Sequence, residues 1–283
     1  MKSIKRTGIT TIIAIFCFLF SEAQEDYTQS LEGIKLVRIE SGTKVKLVAG
    51  KANELRFTKY IRDKEDDYDE CDECDHEHYE EHEHEEGRHR GNNRSKGLKP
   101  VYAGGTDNTG FGMSIEREGD VLRIRDLKSW MQRSGMQVYL PKDVDIYLDC
   151  GNMGSARIQG FSSEIEVNTN IGGIYMNDVT GPITAHTSTG LIDVKFSKVN
   201  QDSPISINTS TGIVDVTLPT DTKANLELRS NMGSVYTDFD LEIPREDGMR
   251  SVGANRKIQA KLNGGGVNIS LRSSTGSVYL RKQ

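Results

Sequence analysis

One phrase is written twice in the sequence, and this repetition restricts the fold more than any other feature does. The two copies are PITAHTSTGLIDVKF at 182–196 and PISINTSTGIVDVTL at 204–218, so they begin 22 positions apart. In both copies apolar and polar residues alternate up to a Ser-Thr-Gly turn, and the alternation resumes after it. Such alternation is typical of half-buried β-strands. Each copy therefore predicts two strands joined by a tight turn.

Four further segments fit the same template, which makes six copies. A fixed period that repeats apolar positions in register is typical of a repeat architecture. The sequence therefore predicts an all-β fold, a single-domain parallel β-helix (β-solenoid) with a disordered acidic His-rich insertion. A series of antiparallel hairpins is the alternative, because hairpins would show the same alternation. The turn glycines recur at a spacing near 20 residues until the last step, at Gly154, Gly172, Gly190, Gly212, Gly233 and Gly276.

The β-helix hypothesis makes several local predictions. Matching apolar residues of successive coils should stack, as in the series Ile183, Ile205 and Leu226. The turn glycines should take positive φ, where a Cβ is disfavoured. Cys150 occupies the inward slot that Thr or Ser fills in the other copies, so it should be buried and unreactive. The long last step between turn glycines is attributed to a loop at Asp240–Lys257.

The two ends of the chain and its middle differ in composition. Residues 1–23 combine basic residues with an apolar run and small residues near Ala23, which is the pattern of a cleaved secretory signal peptide. Residues 24–62 are predicted to be N-terminal strands or a cap of the solenoid, 63–110 a flexible insertion, and 111–283 the solenoid repeats. The predicted location is the periplasm, the outer-membrane surface or the extracellular space, with no transmembrane segment after cleavage.

The insertion contains a dense tract of acidic residues, histidine and cysteine. Between Glu65 and Glu86 there are 14 Asp or Glu residues and no Lys or Arg. Two other interpretations stay open, namely a solvated acidic loop that binds no metal and a short disulfide between Cys71 and Cys74. No cofactor is expected to be required. Thiolate and imidazole groups that suit Zn, Cu or Ni recur through the tract, at Cys71, Cys74, His76, His78, His82, His84 and His89.

A candidate binding surface lies on the outside of the coils, just after the turns. Tyr175, Asp193, Asp215, Tyr236 and Tyr279 share this outward position in their copies. Two stacked carboxylates flanked by aromatic rings can hold a cation or a sugar, and their mutual repulsion should raise the pKa of one of them. We expect no basic residue in this ladder. Because the familiar catalytic motifs do not occur, no residue is predicted to be catalytic and the protein is not expected to be an enzyme.

The segment VYLPKDVDIYLDCGNMG at 138–154, the serial TSTG phrases and the leader ending in SEAQ resemble bacterial adhesin domains of unknown function. These domains are common in Bacteroidetes and are related to the head domains called GIN. The resemblance covers Gly33–Lys59 and Phe111–Leu280. It implies a secreted or periplasmic β-helical domain with an adhesive or envelope-associated role, and it brings no catalytic residues.

The leading functional prediction is an exported, non-enzymatic β-solenoid that acts in adhesin-like binding or as a structural protein of the envelope. Its partner would be a surface, a glycan or a protein; the diffuse basic charge outside the insertion gives no argument for nucleic acid. The alternative is an envelope protein that binds or senses Zn, Cu or Ni through the Cys71–His89 tract. The third hypothesis is a carbohydrate-active β-helix enzyme, since a pair of carboxylates can catalyse glycoside hydrolysis.

Overall fold

The described part of the chain consists of β-strands, turns and short connections. The computed structural model describes residues 26–59, 98, 101–128, 135–242 and 256–283. Every regular element in these ranges is a strand, which confirms the predicted all-β class. No helix in these ranges is long and apolar enough to cross a membrane. The predicted signal peptide and the Cys71–His89 tract lie outside the described residues.

The strands of the described ranges are short and follow one another closely. In chain order they are β1 (Tyr27–Ser30), β2 (Leu36–Glu40), β3 (Val45–Gly50), β4 (Glu54–Lys59), β5 (Met113–Glu118), β6 (Val121–Asp126), β7 (Met136–Pro141), β8 (Asp145–Asp149), β9 (Ala156–Gln159), β10 (Ile165–Ile171), β11 (Ile174–Val179), β12 (Ile183–Thr189), β13 (Ile192–Phe196), β14 (Ile205–Thr211), β15 (Val214–Leu218), β16 (Ala224–Ser230), β17 (Val235–Thr237), β18 (Arg256–Leu262), β19 (Val267–Thr275) and β20 (Val278–Lys282).

Two sheets of ten strands each enclose one hydrophobic core. Sheet 1 has the order β1-β4-β7-β3-β9-β11-β13-β15-β20-β17. Sheet 2 has the order β18-β16-β19-β14-β12-β10-β8-β2-β6-β5. Most coils contribute one strand to each sheet, so the chain alternates between the sheets as it advances. The inward apolar side chains of both sheets form the core between them.

The central coils stack in parallel register. Ile165 on β10 pairs with Ile183 on β12, and Ala185 on β12 pairs with Ile207 on β14, so inward residues meet inward residues. These residues are buried. The pairing confirms the predicted β-solenoid and shows that the hairpin alternative is wrong for these coils, because consecutive strands of one phrase lie in different sheets.

The C-terminal coil departs from serial order. β19 lies between β14 and β16, and β20 lies between β15 and β17. Ile269 therefore sits between Ile205 and Leu226, so the predicted direct stacking of the last two residues is wrong. The assignment of Asp240–Lys257 to a loop is also wrong at its end, because Arg256 begins β18. β18 runs back antiparallel along β16, and only then does the chain insert its last coil.

The N-terminal end shows the same exchange of order. β2 lies between β8 and β6 in sheet 2, and β3 lies between β9 and β7 in sheet 1. The coil formed by β2 and β3 is thus inside the stack, while the coil formed by β6 and β7 lies outside it. Antiparallel strands cover the ends: β5 pairs with β6, β4 pairs with β7, and β1 pairs with β4. Such covering strands satisfy the polar backbone groups of an exposed edge.

A ladder of buried Thr and Ser hydroxyls ties several coils to the turn glycine of a neighbouring coil. In every case a Thr or Ser hydroxyl donates to the glycine carbonyl oxygen of the adjacent coil. The ladder satisfies carbonyl groups that have no strand partner at the turns. Its members are Thr169 to Gly154 at 2.8 Å, Thr187 to Gly172 at 3.1 Å, Thr209 to Gly190 at 3.4 Å, Ser273 to Gly212 at 2.8 Å and Ser230 to Gly276 at 2.8 Å.

Cys150 takes the same inward slot, as predicted. Its side chain is fully buried, and burial together with the neighbouring Asp149 raises the pKa of the thiol to about 12. A thiol with so high a pKa stays protonated near neutral pH and is a poor nucleophile. The prediction that Cys150 is buried and unreactive therefore agrees with its surroundings.

The turn glycines are required mainly by close backbone contact. Gly212 has φ +140°, and a Cβ added there would collide with the carbonyl oxygen of Gly190. Gly154 and Gly233 do not have positive φ, so the predicted left-handed conformation is wrong at these two turns. A Cβ at Gly233 would nevertheless collide with the carbonyl oxygen of Gly276. The common reason for glycine is therefore the short distance between stacked turns, and positive φ applies only to some of them.

Candidate functional site

The candidate site is a column of outward side chains on sheet 1. Strand register places one residue of each coil in this column, since residues paired across parallel strands point to the same face. Beyond Lys46 the register continues to Gln137 on β7, which is buried. The part of the column that is not buried runs from β3 through the central coils to β17. We call it the sheet 1 ladder, and its members in spatial order are Lys46, Arg157, Tyr175, Asp193, Asp215, Tyr279 and Tyr236.

The structure brings together the residues singled out from the sequence. Tyr175 pairs with Asp193, and Asp193 pairs with Asp215. The exchanged C-terminal coil then places Tyr279, and not Tyr236, beside Asp215. The rings of Tyr236 and Tyr279 stack with their centroids 5.0 Å apart and an interplanar angle of 12°. The ladder therefore ends in a flat aromatic pair, of which Tyr236 is exposed.

Basic residues belong to the ladder, contrary to the sequence-based expectation. Arg157 precedes Tyr175 in the column, and its guanidinium carbon lies 4.7 Å from the centre of the Tyr175 ring. Lys46 precedes Arg157. The expectation was wrong because the copy that contains Cys150 fits the repeated template only up to its turn at Gly154, so the template does not assign the residues beyond it. The alternation of buried Ala156 and Ile158 behind that turn is the signal that could have placed Arg157 outward.

The two carboxylates of the ladder have different partners. Asp215 accepts a bidentate hydrogen bond from Arg281, with Nη2 to Oδ2 at 2.7 Å and Nε to Oδ1 at 2.8 Å. This contact is the main reason why the pKa of Arg281 is raised. Asp193 has a more distant cationic neighbour, Lys195, with Nζ 4.0 Å from Oδ2. Bidentate arginine pairing holds a carboxylate in its charged form and fixes its orientation.

The pKa of Asp193 is raised above its ordinary value. Burial is the largest cause, and the charge of Asp215 on the next coil acts in the same direction. Lys195 and Arg281 act against the shift without cancelling it. The expected repulsion within the carboxylate pair is therefore present, although burial contributes more to the shift.

A shallow groove runs beside the ladder where it passes from β3 to β13. Its cavity volume is about 280 Å³. Cationic, aromatic, amide and carboxylate groups line it together, a mixture that suits a polar ligand with several hydrogen-bonding groups. The groove residues are Lys46, Leu47, Arg157, Ile158, Gln159, Tyr175, Met176, Asn177, Asp193 and Lys195.

This arrangement is better suited to binding than to acid–base exchange between the two carboxylates. General acid–base chemistry by a carboxylate pair needs two groups that can each reach the reacting bond. Both oxygens of Asp215 accept hydrogen bonds from Arg281, and Asp193 is the member of the pair that lines the groove. Tyr175 and Arg157 add an aromatic face and a hydrogen-bond donor beside it.

The predicted metal tract cannot be placed on this framework. Cys71, Cys74, His76, His78, His82, His84 and His89 all lie outside the described residues. Within the described ranges no group of three or more His, Cys, Asp and Glu side chains could hold a metal ion. His186, on the outer face of sheet 2, has its Nδ1 2.6 Å from Oδ1 of Asn208 on the next coil.

Part of the chain is similar to a known family of domains. Residues 141–281 match the family model Toastrack DUF4097. The Toastrack segment begins at Pro141, where β7 ends, and includes Asp193, Asp215 and both stacked tyrosines. Lys46 precedes the Toastrack segment, so the ladder combines residues from inside and outside the family match.

Comparisons with whole chains are less informative. A candidate cell adhesion protein from Clostridium sporogenes ATCC 15579, known from its crystal structure, aligns with 92% of this chain and 99% of its own length. The two share 9% sequence identity at a TM-score of 0.41. No curated protein matches the chain.

Proposed function

We propose that this protein is an exported, non-enzymatic β-solenoid that binds a polar surface, in the manner of an adhesin, through the sheet 1 ladder. The match to the Toastrack family supports an adhesin-like or structural role for residues 141–281. The composition of residues 1–23, with basic residues followed by an apolar run, supports export. The target in this proposal is a glycan or a protein on a cell or matrix surface.

The observation that carries the proposal is the alignment of aromatic and charged side chains along one rigid sheet face. Tyr236 and Tyr279 stack at one end of the ladder, and Arg157 stacks on Tyr175 near the other. Aromatic rings with polar partners are the groups that contribute most to binding at protein interfaces. Because parallel strands repeat at about 4.8 Å, the ladder presents these groups to an extended partner at regular intervals.

The experiment that tests the proposal measures how much purified protein sediments with isolated cell envelopes of its own species. A double variant with Tyr236→Ala and Tyr175→Ala should bind less. The bound fraction should fall at least about five-fold, because each substitution removes one aromatic contact. Tyr147→Ala is the matched control, because Tyr147 faces outward on sheet 2 and also carries a stacked arginine, Arg38, at 4.0 Å. Equal binding by the ladder variant and the control would contradict the proposal.

A second proposed function is transition-metal binding by the Cys71–His89 tract. The sequence supports it through two thiols and five imidazoles within a strongly acidic stretch. Calorimetric titration with Zn, Cu and Ni should give heats for the intact protein and none for a variant that lacks Glu65–Arg90. Equal and negligible heats from both proteins would remove this function and leave the binding proposal untouched.

A further inference from the structure

A second groove lies on the outer face of sheet 2, on the other sheet from the ladder. Its cavity volume is about 450 Å³, which is within the range of small-molecule sites in proteins. Four neighbouring strands form it, in the order β14, β19, β16 and β18. The groove therefore depends on the insertion of the C-terminal coil between β14 and β16. We call it the sheet 2 groove, and its lining residues are 204–206, 225–227, 259–261 and 268–270.

Two small side chains form the floor of the sheet 2 groove. Ser206 on β14 pairs in register with Ser270 on β19, and both point outward because the residues on either side of each are buried. Residues two positions apart on a strand share a face, so Ser270 lies between the longer side chains of Asn268 and Arg272. The serine pair therefore leaves a depression in the outer face of the sheet.

A carboxylate and an amide continue the row that the two serines begin. Glu227 on β16 pairs with Ser270, and Gln259 on β18 pairs with Glu227. Since neighbouring strands lie about 4.8 Å apart, hydroxyl, carboxylate and amide groups follow one another across the groove at this spacing. Serine hydroxyls and amides both donate and accept hydrogen bonds, and the carboxylate accepts them. The row therefore matches a ligand that carries several hydroxyl groups.

Contacts within the protein hold two of the lining side chains in place. Nδ2 of Asn225 donates to the carbonyl oxygen of Gly266 at 2.7 Å and to Oδ1 of Asn268 at 3.2 Å. Nζ of Lys257 lies 3.0 Å from Oε2 of Glu227. Side chains that are already ordered lose less conformational entropy when a ligand binds. The groove is therefore partly preorganised.

The charge of the lining favours neither anions nor cations. Glu227 and Lys261 are the carboxylate and the ammonium group among the lining residues, so their formal charges cancel. A nucleic acid would bring its phosphates close to Glu227. Cations such as Ca²⁺ need several oxygen ligands, and the carboxylate of Glu227 already has an ion pair with Lys257. Recognition in this groove therefore depends on hydroxyl and amide groups.

A peptide strand is also a poor match for this surface. Extended peptides bind to sheets through main-chain hydrogen bonds at an open edge. The four strands of the groove are hydrogen-bonded to one another, so a ligand on their outer face meets mainly side chains. A ligand with its own hydroxyl groups needs no open edge, because it can bond to the side chains directly.

We propose that the sheet 2 groove binds an uncharged oligosaccharide, with the sugar hydroxyls on the row from Ser206 to Gln259. The carbon atoms of the sugar lie over the floor of the groove, where Ile205 and Ile269 contribute to the lining. This site is separate from the sheet 1 ladder and goes beyond the proposed function. Either one can therefore fail without the other.

Nuclear magnetic resonance titration of the purified protein with maltotriose, cellotriose and mannotriose tests the inference, with trigalacturonate as the charged comparison. At least one neutral trisaccharide should shift the amide resonances of the lining residues. Ser270→Leu fills the floor and should raise the Kd of that sugar at least about ten-fold. Gln259→Ala removes one amide from the row and should raise it about five-fold, the effect of one hydrogen bond.

Thr184→Leu is the matched control for Ser270→Leu. Thr184 pairs with Ser206 from β12, so it lies in the same outward row, but it does not line the groove. Both variants place a leucine on the outer face of sheet 2. Thr184→Leu should leave the Kd within about two-fold, because substitutions at exposed positions have small effects on the fold. Equal effects of the two variants would contradict a site in the groove.

The remaining outcomes separate this inference from the proposed function. Equal binding of trigalacturonate, with the same sensitivity to Ser270→Leu, would overturn the choice of an uncharged ligand. No shift of the lining residues with any of the three neutral sugars would overturn the site itself. If shifts appear along the sheet 1 ladder and disappear in the variant with Tyr236→Ala and Tyr175→Ala, the inference fails while the proposed function stands. Binding in the groove without retention by envelopes would leave the inference and remove the proposed function.

Discussion

Single residues in this fold are constrained by the distance between stacked turns, and Gly212 shows this most directly. An added Cβ would meet the carbonyl oxygen of Gly190, and the backbone at φ +140° disfavours any side chain. Gly212→Ala should therefore lower the free energy of unfolding by about 2 kcal/mol or more. Gly42→Ala is the control, since a Cβ there meets nothing within 4 Å; its effect should stay within about 0.5 kcal/mol. Urea denaturation measures both values, and equal effects would contradict the role assigned to close contact.

The raised pKa of Asp193 predicts that the stability of the folded protein depends on pH. Burial and Asp215 raise its pKa in the folded state, so the folded protein holds this proton up to a higher pH than the unfolded chain does. Its contribution to stability is full below the unfolded pKa and is lost as pH rises through the folded pKa. Asp193→Asn should therefore raise the urea midpoint near pH 7, and the gain should shrink toward about pH 3, where both forms are neutral. A gain that does not change with pH would contradict this assignment.

The pKa of Asp107 is shifted in the opposite direction, so this residue is the comparison for Asp193. Burial alone would raise its pKa, but hydrogen bonds donated by the backbone N–H groups of Thr109, Gly112 and Gly110 and by the Thr109 hydroxyl hold the pKa below its ordinary value. This stability is present above the unfolded pKa and is lost as pH falls through the folded pKa. Asp107→Asn should therefore lower the midpoint near pH 7, opposite in sign to the effect at Asp193. The same titration in urea at several pH values measures both variants.

Among the elements, the C-terminal coil is the one whose removal should destabilise the solenoid most. β19 pairs on both sides, with β14 and β16, and β20 pairs with β15 and β17. A chain that ends at Gly264 should therefore lose cooperative unfolding, because β16 and β17 would lose β19 and β20, which join them to the rest of the stack. A synthetic peptide of residues 265–283 should restore the far-ultraviolet circular dichroism and the cooperative transition when added to the truncated chain.

The control for this truncation removes an element of the opposite kind. Among the described strands, β1 lies at the edge of sheet 1 and pairs with β4 alone. A chain beginning at Leu31 should keep a cooperative transition with a modestly lower midpoint. If the chain ending at Gly264 were as stable as this control, the C-terminal coil would not hold the end of the solenoid together.

At the scale of the whole molecule, the repeated phrase predicts the stacking but leaves the order of the end coils open. The copies around Ile183 and Ile205 predicted two coils whose register the structure reproduces. Near-identical copies present the same inward residues at the same spacing. The sequence pattern therefore does not determine which coil packs against an end coil. The exchange that puts Ile269 beside Ile205 depends on β18, an antiparallel strand without the repeated pattern. The sheet 1 ladder is predictable only where the copies are regular. The sequence therefore predicts the outward positions of Tyr175 and Asp193 but not that of Arg157.

The covered sheet edge at the C-terminal end of the solenoid should prevent the protein from associating with itself. β18 covers the edge of β16 in sheet 2, and its own outer edge is partly occupied by Glu242, whose backbone bonds to Lys261. Ile258→Pro should displace β18, because proline removes a ladder hydrogen bond, and the uncovered edge of β16 should then pair with a second molecule. Sedimentation velocity should show self-association that grows with concentration, and a synthetic peptide of residues 256–263 should reverse it. Ile258→Ala keeps the backbone N–H and should sediment like the unaltered protein; association by both variants, or by neither, would mean that β18 does not protect this end.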